Sequence, residues 1–169
     1  MIWLKTISKQ RKVISMFLKL LEKLDRKRII MDRECNEPLI TRYYLFLKDR
    51  KHFPFNIFLH KFHKGDPGDV HDHPWPYATF ILAGGYYEYT PIMAFGKMIG
   101  ETKHWRGPGH FRICSAYSYH RIELKEGVTP WTLFMPGPQE REWGFLVKNN
   151  WIHNGEYLTY KAEHANNSK

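Results

Sequence analysis

Apolar residues return every three or four positions early in the chain: Val13, Phe17, Leu21 and Leu24, with Ile14 and Leu18 beside them. Lysines and arginines fill the positions between, so the spacing predicts an amphipathic helix from about Ser8 to Arg28. Past Arg33 the period falls to two. Short β-like runs are expected at 42–47, 55–63, 77–83, 86–90, 97–105, 111–114, 120–124, 131–136 and 142–147. Turn signals separate them: Lys64-Gly65-Asp66-Pro67, Gly84-Gly85, Gly107-Pro108-Gly109, Glu126-Gly127 and Pro136-Gly137-Pro138. Short strands with frequent turns predict a mainly β chain, folded as an antiparallel sandwich or barrel. No internal repeat is evident.

With 169 residues, 43% of them hydrophobic and 16% aromatic, the chain has the size and composition of one globular domain with a proper core. No apolar run approaches the roughly 20 residues that a membrane-spanning helix needs. The longest N-terminal run, 13–18, is also too short for a secretory leader. A cytoplasmic location is expected by default. Cys35 and Cys114 are far apart and lack Cys-x-x-Cys spacing, so neither a disulfide framework nor a zinc ribbon is expected.

The basicity is local. Residues 1–28 carry nine basic side chains against Glu22 and Asp25, which is +7 of the formal +9. The chain therefore divides into a basic helical arm (1–33), a nearly neutral β domain (34–160) and a polar tail (161–169) expected to fray. The arm is expected to pack its apolar face on the domain or on a second subunit. Contact with a membrane surface or a nucleic acid is the less favoured alternative, and the chain carries no strong nucleic-acid signal.

Candidate chemistry is concentrated in Gly65-Asp66-Pro67-Gly68-Asp69-Val70-His71-Asp72-His73-Pro74-Trp75. In an extended strand residues i and i+2 share a face, so His71 and His73 project together as a chelating pair. Asp72 then points away, towards a supporting or turn-capping role. His120 opens a later strand, and antiparallel barrels bring such strand ends together. Three neutral imidazoles leave open positions on a divalent ion, as a catalytic metal requires. Parity also puts Tyr77, Thr79 and Ile81 on the histidine face, and makes Trp131, Leu133 and Met135 core residues. His60, His63, His104, His110 and His153 lack companion spacing. There is no Gly-x-Ser-x-Gly, P-loop or dinucleotide fingerprint, which sets aside serine hydrolase and nucleotide-driven chemistry.

These residues resemble the two motifs of the cupin superfamily. The first, G-x5-H-x-H-x3/4-E-x6-G, is matched in every spacing by Gly65, His71, His73, Tyr77 and Gly84, with Tyr77 where the family usually has a ligand glutamate. The second, G-x5-P-x-G-x2-H-x3-N, keeps its spacing through Gly109, Ser115, Tyr117, His120 and Leu124, although Ser115, Tyr117 and Leu124 replace its proline, glycine and asparagine. The resemblance covers roughly residues 40–150. Together with the segment 136–145, His71-Asp72-His73-Pro74-Trp75 is similar to small, largely uncharacterised cupins of bacterial and phage genomes.

The resemblance implies a double-stranded β-helix, or jelly-roll barrel, preceded by the amphipathic α-helix. It implies a divalent metal held by His71, His73 and His120. A three-histidine face without carboxylate is similar to the iron site of thiol dioxygenases, which favours Fe(II) over zinc, nickel or manganese. Tyr77, with a phenol pKa of about 10, is a poor ligand and is expected to donate a hydrogen bond instead. Tyr77 and Arg112 are the catalytic candidates. Arg112, Arg121, Arg141 and Arg42 are candidates for gripping a carboxylate or phosphate. The implied activity is a metal-dependent oxygenase acting on a small, anionic substrate. The alternatives are an epimerase or isomerase with a His–Tyr acid–base pair, and a non-catalytic, metal-stabilised binding or assembly module. A homodimer is implied as well.

Overall fold

Residues 2–48, 53–66 and 68–165 are described by the computed structural model. The N-terminal periodicity becomes helix α1 (Ile2–Lys23), which stops at Lys23 rather than Arg28. Asp25 turns left-handed, with φ of 55°. The amides of Arg26 and Asp25 bond back to the carbonyls of Leu21 and Glu22, the paired closure that ends many helices. Aspartate stands where glycine is usual, so the sequence does not announce the stop. The chain then enters β1 (Lys27–Met31), which pairs antiparallel with β2 (Pro38–Tyr44). Residues 27–31, expected in the basic arm, are thus part of a sheet.

The strands that follow are β3 (Phe58–Phe62), β4 (Val70–His71), β5 (Tyr77–Ala83), β6 (Tyr86–Ala94), β7 (Lys97–Arg106), β8 (Phe111–Cys114) and β9 (Arg121–Leu124). After them come β10 (Trp131–Pro136), β11 (Gly144–Val147), β12 (Asn150–His153) and helix α2 (Tyr157–Ala165). One layer is a six-stranded sheet in the order β1-β2-β3-β10-β5-β8, and two three-stranded sheets, β12-β11-β4 and β7-β6-β9, face it across the interior. Among the described residues, one isolated β-bridge joins the two smaller sheets. The His71 amide donates to the His120 carbonyl at 2.9 Å, and the His120 amide to the His71 carbonyl at 3.0 Å.

Strand alternation aims Phe58, His60 and Phe62 of β3, Tyr77, Thr79 and Ile81 of β5, and Tyr86 and Glu88 of β6 inward; all eight are buried. Phe62, Ile81, Tyr86 and Ile122 form one core cluster, with Ile40 and Leu124 against it. β10 has the opposite parity from that expected. Thr132 and Phe134 face the interior, while Trp131 stacks on Tyr43 with ring centroids 6.4 Å apart. A register shift between Trp131 and Thr132 accompanies this.

A second cluster joins Phe145, Val147 and Tyr157, and it anchors α2 to β11. The Tyr157 ring stacks on Phe145 at 3.8 Å, so residues 161–165 of the expected frayed tail are helical; 166–169 lie outside the described residues. Two motif glycines have a plain steric reason. A Cβ on Gly65 would meet the Ile122 carbonyl oxygen at 2.7 Å, and one on Gly84, whose φ is +72°, would meet that of Thr129 at 2.7 Å. No helix among the described residues is long and apolar enough to cross a membrane.

Candidate metal centre

The pair that joins the two smaller sheets also builds the site. His71 and His120 are direct cross-strand neighbours, so their side chains share a face. His73 returns to that face two residues later. One ligand-capable atom from each ring lies within 4.8 Å of the others, and His73 Nε2 is 2.9 Å from His120 Nε2. His120 is buried and the other two rings are half-buried. Burial, followed by the neighbouring imidazoles, holds His71 and His73 well below the usual histidine range. At neutral pH both are therefore uncharged, with lone pairs available.

Asp72 lies between the two histidines and points the other way. Its Oδ1 accepts the Gly144 amide at 2.7 Å; its Oδ2 accepts the Trp151 indole N–H at 2.9 Å and faces Arg141 at 3.0 Å. The aspartate is fully buried and pins the His-x-His segment to β11 and β12. Asp66 supports the same segment from the other side. It accepts the Ile122 amide at 2.6 Å and sits 4.0 Å from His71 Nδ1. Burial pushes its carboxyl up to about 6.

No motif marks Glu88, yet it is central. Its Oε1 lies 2.9 Å from His120 Nδ1, and its Oε2 accepts Arg106 Nε at 2.8 Å and an Arg112 N–H. Burial acts to raise this carboxyl, but the His120 hydrogen bond, Arg112 and Arg106 outweigh it and hold the group at about 2. An ionised carboxylate can only accept, which assigns the proton to His120 Nδ1 and turns the Nε2 lone pair inward. The first cupin motif lacks its glutamate at Tyr77. A different carboxylate enters from β6 and grips the far side of a histidine instead. The signal for it was the parity of Tyr86 and Glu88, an acid on the inward face of an apolar strand.

The adjoining cavity has a volume of about 110 Å³ and is lined by Arg42, His60, Trp75, Thr79 and Phe134 around the three histidines and Tyr77. The Tyr77 hydroxyl is 3.4 Å from His120 Nε2. Burial pushes its phenol well above the ordinary range, so it remains a protonated donor. The arginines separate clearly. Arg112 is taken up by Glu88 and is not among the lining residues. Arg121 makes two bonds to Glu101, at 3.0 and 2.6 Å, and Arg141 faces Asp72. Arg42 lines the cavity and donates from Nε to His60 Nε2 at 3.0 Å. His60 is buried at the centre of the alternating Phe58-His60-Phe62 run, and that alternation was the signal for its inward position.

No protein-family model matches the chain, and no curated protein matches it in sequence. Solved structures do match. The polyketide cyclase RemF from Streptomyces resistomycificus superposes with a TM-score of 0.53 at 16% identity, over 78% of this chain and 87% of that one. A cupin-2 domain protein from Rhodospirillum rubrum gives 0.50 at 14% identity, over 82% and 84%. Fe(II)-HppE with the alternative substrate (S)-1-HPP gives 0.50 at 10% identity, over 66% of this chain and 56% of that one. At such identities the likeness speaks for architecture alone. The two facing antiparallel layers, the motif glycines at close strand contacts and these structural neighbours agree: the chain has the cupin fold, with a three-histidine cluster suited to a divalent metal in its interior.

Proposed function

We propose that this protein is a metal-dependent oxygenase that holds Fe(II) with His71, His73 and His120 and oxidises a small anionic substrate with dioxygen. One observation carries the reading: three imidazoles offer ligand atoms within 4.8 Å of one another, and no carboxylate belongs to the group. The donor set fits the ion. His71 and His73 are held neutral, and Glu88 fixes the His120 ring with Nε2 inward. Held by these three imidazoles, a ferrous ion would keep open positions for substrate and dioxygen. Fe(II)-HppE, a fold neighbour, is an iron-bound protein, so this architecture is able to house iron.

The chain's own residues supply binding and orientation. Arg42 is the arginine positioned to receive a carboxylate or phosphate in the cavity. Tyr77 holds a proton beside His120 Nε2 and offers it as a hydrogen bond to whatever occupies the cavity. Trp75 and Phe134 wall the cavity and restrict water. Arg42→Gln is expected to raise KM for an anionic substrate about tenfold or more with a smaller change in kcat; steady-state oxygen uptake reads both. Tyr77→Phe is expected to retain full metal content and lower oxygen uptake about tenfold or more. Oxygenase activity is tested by loading the protein anaerobically with ferrous iron and following oxygen uptake over a panel of thiols and small acids. Bound iron with uptake supports it; neither bound iron nor uptake contradicts it.

A second reading has its own observation. The 3.4 Å contact between the Tyr77 hydroxyl and His120 Nε2 is the pairing that a proton-transferring isomerase or epimerase needs. Turnover that survives complete removal of metal would favour it over oxidation.

A further inference from the structure

The stripe of α1 that was expected to pack on the domain is largely in water. Leu21 is buried and Leu18 half-buried, but Val13, Met16, Phe17, Leu20 and Leu24 are 59, 62, 47, 52 and 56% exposed. At 3.6 residues per turn these five form one side of the helix. Leu18 and Leu21 lie on the side towards β2, the strand that α1 lies against, and Ile14, one turn earlier on that side, is 58% exposed. Arg11, Lys12, Lys19 and Lys23 share the third side with Ser15 and Glu22. The helix therefore has a domain side, an open apolar side and a cationic side.

A second exposed apolar patch lies near the end of the helix. Arg26 donates to the Phe46 carbonyl at 3.0 Å, which sets Phe46 beside the end of α1. Phe46, Phe53 and Phe55 are each about 40% exposed, and their ring centroids lie 5.0 to 5.4 Å apart. The acids in this region are already engaged, Glu22 by Lys27 at 2.6 Å and Asp25 by Lys48.

We propose that α1 and the adjoining phenylalanine cluster dock the protein on an anionic lipid surface. A second copy of the chain would cover the stripe but would bring two cationic helices together. A nucleic acid would answer the charge and leave five large apolar side chains in water. An anionic bilayer answers both: the apolar side enters the acyl boundary while lysines and arginines reach the headgroups. Since α1 is not apolar enough to cross a membrane, it lies along the surface, with the barrel held beside it.

The test uses the full-length protein and vesicles of phosphatidylcholine, alone or mixed equally with phosphatidylglycerol. Sedimentation is expected to show binding at least tenfold stronger to the mixed vesicles, weakening as sodium chloride is raised. The double variant Phe17→Ser, Leu20→Ser changes only exposed side chains and is expected to lower partitioning about tenfold or more with an unchanged melting temperature. Lys12→Glu with Lys19→Glu is expected to abolish the preference for anionic vesicles. Equal binding to both lipids, or binding unaffected by either double variant, would overturn the proposal. So would a wild-type dimer that the Phe17 and Leu20 changes dissociate, which would make a second copy the occupant. RNA binding that survives those changes, without vesicle binding, would overturn it in favour of nucleic acid.

Discussion

Glu88→Ala is expected to destabilise the folded protein by about 3–5 kcal/mol, because it strands the Arg106 and Arg112 guanidiniums against the barrel interior with no counter-charge. It also frees His120 Nδ1 from the acceptor that fixes the ring, so metal affinity is expected to fall about 10–100-fold. Glu88→Gln keeps shape and one acceptor oxygen, and falls between wild type and alanine on both counts. Urea unfolding reads the first effect and competition with a chelator reads the second. The pH dependence has a definite sign. The folded carboxyl titrates near 2, below the unfolded value of about 4.3. Its contribution is therefore complete above the unfolded value and is lost as pH falls through it towards about 2. In Glu88→Gln that part of the acid loss should be missing.

Asp72→Ala is the second large effect. The side chain is fully buried and serves three donors: the Gly144 amide, the Trp151 indole and Arg141. Its removal leaves a buried amide and a half-buried cation without their acceptor, a loss of about 3 kcal/mol. The same contacts pin the segment between His71 and His73. Metal binding is therefore expected to weaken in a variant that retains all three histidines. Asp72→Asn separates the two roles, since its amide oxygen still accepts the Gly144 N–H but carries no charge for Arg141. A denaturant midpoint and metal affinity equal to wild type in Asp72→Ala would show that the aspartate does not hold the segment.

The barrel and its histidines were legible because each depends on local rules. His71 and His73 share a face through two-residue spacing, and Gly65 and Gly84 mark close backbone approaches. His120 followed from the second motif. The features that were not legible rest on contacts distant in sequence, or on turns made by unusual residues. Glu88 matters because β6 lies beside β9, and nothing near residue 88 announces a partner at His120. β12 follows a turn in which Lys148 and Asn149 both take positive φ, 48° and 69°, without the glycine that flags such hairpins. β1 was hidden by the aspartate that ends α1. Sequence favoured Arg112 over Arg42 as the catalytic arginine; only the folded chain reveals that Arg112 neutralises Glu88 and Arg42 lines the cavity.

Elemental analysis of full-length protein purified without a histidine tag, alongside His71→Ala and His120→Ala, tests whether His71, His73 and His120 hold a divalent metal. Stoichiometric metal is expected in the wild type, or stoichiometric uptake of ferrous iron by protein stripped of metal, with loss of that metal in both variants and the fold retained. Wild-type protein that neither carries nor takes up metal, or variants that bind it as well as wild type, would contradict that assignment.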